Sequence, residues 1–199
     1  MRQTSSACSI VILLFISFIS PIAVNATDST IATDITWSGQ HIIDGNITIS
    51  SGVILTIETG TTIDCGDDFW IQIDGVMVAE GAYFFSSTPP VTQGSHGAGL
   101  WKGLHISHGG VAFLNNTLIE NAKTGVKVEG ELNAIDLEIN HSYIGINNIG
   151  HSNINGYSSF QIDYDSIQNS GNLELSNATI QQSAVGVHSS GITTISKSE

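Results

Sequence analysis

The sequence predicts an all-β chain wound as a parallel β-helix, a solenoid with coils of about 20 residues. Three observations carry this. The first is a phrase that recurs against three glycines, Gly125, Gly145 and Gly186. Asn116, Asp136 and Asn177 stand nine residues before them, and Ile119, Ile139 and Ile180 stand six before. Leu114, Ala134 and Leu175 precede them by eleven, and Ala112, Leu132 and Leu173 by thirteen. An aliphatic residue follows each glycine: Leu104 follows Gly103, and then come Val126, Ile146 and Val187. The glycine intervals are 22, 20 and 41 residues, the last being two periods. The second observation is local alternation in short runs such as Gly125-Val-Lys-Val-Glu-Gly130 and Leu173-Glu-Leu175, with no helical apolar stripe kept for three turns. The third is punctuation: Gly, Asn, Ser and Thr interrupt the runs every few residues, and proline occurs only three times. One such coil cannot bury its apolar face alone, so neighbouring coils must supply the core.

The elements follow in chain order. Residues 1–26 read as a secretory signal: Arg2 is the positive start, Ile10 to Ile19 the apolar stretch, and Val24-Asn25-Ala26 a small-residue cleavage pattern after Pro21. Export to the exterior or cell surface is therefore expected, with no transmembrane anchor in the mature chain. Residues 27–41 read as a polar lead-in that caps the first coil. The solenoid is expected over 42–199. It opens with strand runs at 42–49, 53–57 and 70–78, separated by Ser50-Ser51-Gly52, by Gly60 and by a Cys65-Gly66-Asp67-Asp68 turn. Residues 86–99 are the clearest loop. The coil between Gly145 and Gly186 fits least well, because Asn147, Asn148 and the stretch 152–156 are polar where aliphatics are due, and Tyr157, Phe160 and Tyr164 appear. A bulged coil is expected there. Asn116 and Asn177 are candidates for an asparagine ladder at a bend. The last residues lie inside a further repeat, so the solenoid reads as open or truncated at its C-terminus, with end-to-end association as a corollary.

Composition excludes some functions. The net charge is −13, and the mature chain would hold four lysines against eighteen acids, a net charge of −14. Nucleic-acid binding is excluded, because phosphate neutralisation needs clustered Lys and Arg. Only Cys65 remains after the signal is removed, so no intrachain disulfide can form. Asn-x-Ser/Thr triplets at Asn25, Asn46, Asn115, Asn140 and Asn177 are what an Asn- and Thr-rich solenoid produces by composition.

One stretch resembles a known family. Ser51-Gly-Val-Ile-Leu-Thr-Ile-Glu-Thr-Gly-Thr-Thr-Ile63, the run 70–78, Ala79-Glu80-Gly81, Phe85-Ser86-Ser87 and Trp101-Lys102-Gly103 follow one another as in secreted repeat proteins of the pectin-lyase-like superfamily. The resemblance covers roughly 42–191. It implies a right-handed parallel β-helix and a sugar-related role, without an activity.

Catalytic patterns of that superfamily fail residue by residue. A pectate-lyase-like site needs a basic residue, commonly arginine, beside acidic calcium ligands, and the mature chain has no arginine. Of the polygalacturonase-like set only Asp67-Asp68 and an imperfect Gly150-His151-Ser152 are present. For metal, Asp67 with Asp68, or Asp163 with Asp165 two apart on a strand, offer oxygen ligands for weak calcium binding, short of a dedicated loop. No other cofactor is expected. His105 and His108 lack a third ligand spaced for zinc. The outward column carries the remaining candidates. His105, Lys127, Asn147 and His188 occupy the position after the inward aliphatic, with one break at the irregular coil, and Trp101 with Tyr157 and Tyr164 flanks them. A flat polar face with aromatic flanks suits glycan contact. The expected role is non-catalytic, structural, adhesive or glycan-contacting, with an extracellular polysaccharide or surface glycan as partner. The alternative is a carbohydrate-active enzyme, a polysaccharide lyase or glycoside hydrolase, whose active site the sequence does not display.

Overall fold

The computed structural model describes residues 22–24, 29–87 and 101–197. These residues form a parallel β-solenoid of about seven turns of roughly 21 residues, with no helix among them. Each coil lays down three short strands, and each strand pairs in parallel with its counterpart one coil away. The first face stacks Gln40–Ile43, Thr62–Asp64, Tyr83–Phe85 and Leu118–Glu120. The second face stacks Ser29–Ile31, Ile47–Ile49, Trp70–Ile73, Gly103–Ile106 and Thr124–Val128. The third face runs from Ile35–Trp37 through Val111–Asn115 to Ile192–Ser196. Glu138–Asn148 and Ser159–Asn169 are each eleven residues long and turn the corner from first to second face without a break. Among the described residues no helix is long and apolar enough to span a membrane.

Alternation places the core. On the second face Ile49, Ile73, Ile106 and Val128 stack inward with 0 % exposure. On the third face Leu55, Met77, Ala112 and Leu132 do the same. Cys65 is buried among them, and burial pushes its thiol well above the ordinary range.

Several expectations change in detail. The runs 42–49 and 70–78 are each two strands, broken at Asp44–Asn46 and at Asp74-Gly75. A coil must turn between faces, and a short corner suffices. Residues 29–37 already form coil strands with Trp37 buried, rather than a separate lead-in. The expected signal lies outside the described residues except for Ile22–Val24, which pairs in parallel with His41–Ile43. Of the loop 86–99, only Ser86 and Ser87 lie among the described residues.

The recurring Asn116, Asp136 and Asn177 form no internal ladder. They are left-handed corner residues, with φ of 47°, 53° and 55°, and both asparagines are exposed. Gly60, Gly81 and Gly156 hold the same left-handed conformation at the same corner of other coils. Asn and Asp tolerate that conformation best after glycine. The internal asparagine ladder lies elsewhere: the column Ile106–Val128 continues as Asn148 and Asn169, both buried.

A second glycine series sets the opposite corner. Gly75, Gly110, Gly130, Gly150, Gly171 and Gly191 precede the third-face strands. A Cβ at Gly130, Gly150, Gly171 or Gly191 would sit 2.2 Å from a carbonyl oxygen of the coil before. Backbones touch there, and only glycine leaves room.

The irregular coil is bulged, as its composition predicts. Ser142 pairs with Ile162 and Ile144 with Asp165, so three steps along one strand match two along the other. Ser166 stands where Gly145 stands one coil earlier, which explains the 41-residue gap between glycines.

Candidate functional site

The outward column of the second face is continuous. Its register runs Thr30, Thr48, Gln72, His105, Lys127, Asn147, Gln168 and His188, each directly paired with the next. Gln168 fills the place that sequence spacing left vacant. The signal for it was the aliphatic Ile167 before it, hidden because a serine had replaced the guiding glycine. Equivalent side chains stand one strand spacing apart, about 4.8 Å, and so form a straight polar strip along the solenoid.

Two shallow depressions lie on this strip. One, of about 260 Å³, is lined by Trp70, Gln72, Lys102, His105, Thr124 and Lys127, among others. The other, also about 260 Å³, is lined by Asn147, Gln168, Asn169, Ser170, His188 and Ser190. In the first, Lys127 Nζ donates to Glu129 Oε1 at 2.5 Å, and His105 Nε2 lies 3.4 Å from Glu129 Oε2. Lys127, with His105 beside it, holds the Glu129 carboxyl below the usual range. Gln72 Nε2 donates to Asp74 Oδ1 at 2.9 Å, and the Ser107 hydroxyl donates to the same oxygen.

The corner between first and second faces borders the strip. Lys102 and Lys123 lie there on adjacent coils. Lys102 Nζ stands 4.6 Å from the centre of the Trp70 ring, a cation–π contact. Farther along the corner, Tyr143 and Tyr164 stack at 5.0 Å. Asp68, in a left-handed conformation with φ of 60°, reaches both lysines: its carboxylate is 2.6 Å from Lys123 Nζ and 3.6 Å from Lys102 Nζ. Those lysines, Lys123 above all, hold the Asp68 carboxyl below its ordinary range.

Other sequence candidates are redistributed. Trp101 is fully buried, its indole N–H donating to the Glu120 carbonyl at 2.9 Å and its ring stacked on Phe84. It therefore offers no surface to a sugar; an indole beside a lysine and a glycine looks exposed in sequence, but the corner folds it inward. Tyr157 is 91 % exposed at a third-face corner, away from the strip. Asp68 is engaged by lysines, which compete with any cation, while Asp67 Oδ1 accepts from Ser86 Oγ at 3.4 Å. Asp165 is buried and accepts from Gln168 Nε2 at 2.6 Å, and the side chain of Asp163 lies outside the described residues. His108 is exposed on a turn after the strand that carries His105. Among the described residues no three His, Cys, Asp or Glu side chains converge as metal ligands.

One cluster on the first face escaped sequence reading. The Tyr83 hydroxyl donates to Glu120 Oε2, and burial, reinforced by that carboxylate, pushes the phenol up to about 12. Its partners are 37 residues apart, so no local motif announces it.

Fold and surface together define a β-solenoid repeat protein with a polar strip along one face. Compared with family models, with curated proteins and with solved structures, the chain matches none.

Proposed function

We propose that this is an exported, cell-surface or extracellular β-helix repeat protein, of the secreted non-catalytic kind within the pectin-lyase-like superfamily, whose second face contacts an extended glycan. The observation that carries this reading is the unbroken polar column from Gln72 to His188, with both depressions lying along it. An extended polysaccharide is itself a row of hydroxyls along one axis. Asn147, Gln168 and His188 offer donors and acceptors in such a row, and Trp70 supplies an aromatic edge.

The test is a glycan array probed with the exported chain, with and without calcium, followed by length analysis of any retained glycan. Retention without shortening, weakened by replacing Asn147 and Gln168 with alanine, supports the reading. Shortened or unsaturated products favour a polysaccharide lyase or glycoside hydrolase instead. A failure of every glycan to bind would overturn glycan contact and leave a structural role. Calcium-dependent retention would revive the aspartate sites.

A further inference from the structure

The charge of this molecule is distributed unevenly. Eighteen acids oppose five basic residues, yet three of the four lysines, Lys102, Lys123 and Lys127, lie on adjacent coils at one corner and the strip beside it. His105 stands in the same depression. Among the described residues only two carboxylates reach this group: Asp68 serves both Lys102 and Lys123, and Glu129 serves Lys127 and His105. Asp68 is the looser of the two. Both carboxylates stand at corners outside the strands, but the Asp68 side chain is 64 % exposed against 27 % for Glu129. An exposed ion pair of this kind contributes little to stability, so exchanging its anion costs little.

We propose that the Lys102–Lys123 pair is a subsite for an anionic substituent of a glycan, a carboxylate or a sulfate, and that Asp68 occupies it as an internal competitor in the free chain. This rests on the glycan reading above and names the class of ligand. An incoming anion takes the place of the Asp68 carboxylate between the two ammonium groups. The Trp70 ring, already under Lys102, supports the sugar that carries it, and Lys127 extends the positive field into the depression. No covalent step is involved.

The probes are dextran, carboxymethyl-dextran and dextran sulfate of matched length, titrated against the full chain. Anionic dextrans are expected to bind and neutral dextran to bind at least tenfold more weakly, with affinity falling as salt rises. Preference for one anionic dextran over the other assigns the substituent. Asp68→Asn is expected to tighten anionic binding several-fold. Lys102→Gln with Lys123→Gln is expected to lose tenfold or more, whereas Lys197→Gln, the same charge change on the remaining lysine, leaves binding unchanged. Circular dichroism melts of each variant separate lost binding from lost folding. Unchanged affinity in Asp68→Asn overturns the competitor role. Equal losses in the Lys197 variant, equal binding of neutral dextran, or no binding of either anionic dextran overturns the subsite. Neutral glycans retained on the array while anionic dextrans fail would sink this inference and spare the broader one.

Discussion

Asn148 lies directly over Asn169 inside the solenoid, and its Nδ2 donates to the Asn169 Oδ1 at 2.8 Å. Around this pair the amides are taken up by the chain itself. Asn148 Nδ2 also reaches the Asn172 carbonyl, Ser152 Oγ donates to Asn148 Oδ1, and Asn169 Nδ2 reaches the Ile192 carbonyl. A buried polar group is tolerated when every partner is present and costly when one is removed. The polar coil is thus a satisfied plug in an otherwise aliphatic column.

Replacing Asn148 by Val restores the residue type of Val128 one coil earlier but strands Ser152 and the Asn172 carbonyl. The expected cost is about 1–3 kcal/mol. The double variant with Asn169→Val should cost less than the two single changes summed, because the lost bond is shared. Urea unfolding of the four-member cycle checks this; strict additivity would show that the ladder is not coupled.

Gly130→Ala drives a methyl to 2.2 Å from the Gly110 carbonyl oxygen, where backbone rather than a movable side chain must yield. A loss of about 1–3 kcal/mol is expected. Gly186→Ala meets its nearest neighbour at 3.7 Å and should stay within about 0.5 kcal/mol of the parent. Thermal melts of the two variants side by side decide whether backbone contact, rather than glycine loss in general, governs the seam.

Trp101→Ala should cost about 3–5 kcal/mol as a buried aromatic removed from the core. In contrast, Trp70→Ala should leave stability nearly intact and weaken glycan retention. Comparing denaturant midpoints with glycan affinity for the two variants separates core from surface tryptophan, and the reverse pattern would return Trp101 to the surface.

The Glu129 carboxyl is held below its ordinary value of 4.5, chiefly by Lys127. Its contribution to stability is therefore present above about pH 4.5 and is lost as pH falls through the lowered folded value. Glu129→Gln should flatten the acid limb of a melting-temperature profile in that window and leave the neutral limb parallel to the parent. Lys127→Gln should shift the same limb, because the ion pair is shared.

Much of the fold is legible before folding. The left-handed corner is written as Asn116, Asp136 and Asn177, and the inward columns as the aliphatics that follow at fixed distance. The glycine seam was equally legible, since Gly110, Gly130, Gly150, Gly171 and Gly191 recur every 20 or 21 residues, interleaved with Gly125 and Gly145. The strip was partly legible. His105, Lys127, Asn147 and His188 do share one column, but Gln168 was hidden by the bulge and Ser166.

What the sequence determined by itself is the solenoid: a short alternating phrase, repeated, has one economical way to bury its apolar side, and each repeat states it again. What only the tertiary structure decided is who stands beside whom. Steps between stacked positions on the second face vary from 18 to 33 residues, so Asp68 meets Lys123 across 55 residues and Asn148 meets Asn169 across 21. Trp101 turns inward and Lys102 outward for the same reason. A strand pattern says that neighbours alternate in direction, but the corners of the earlier coils differ in length from one coil to the next, and they fix which coil each side chain finally faces.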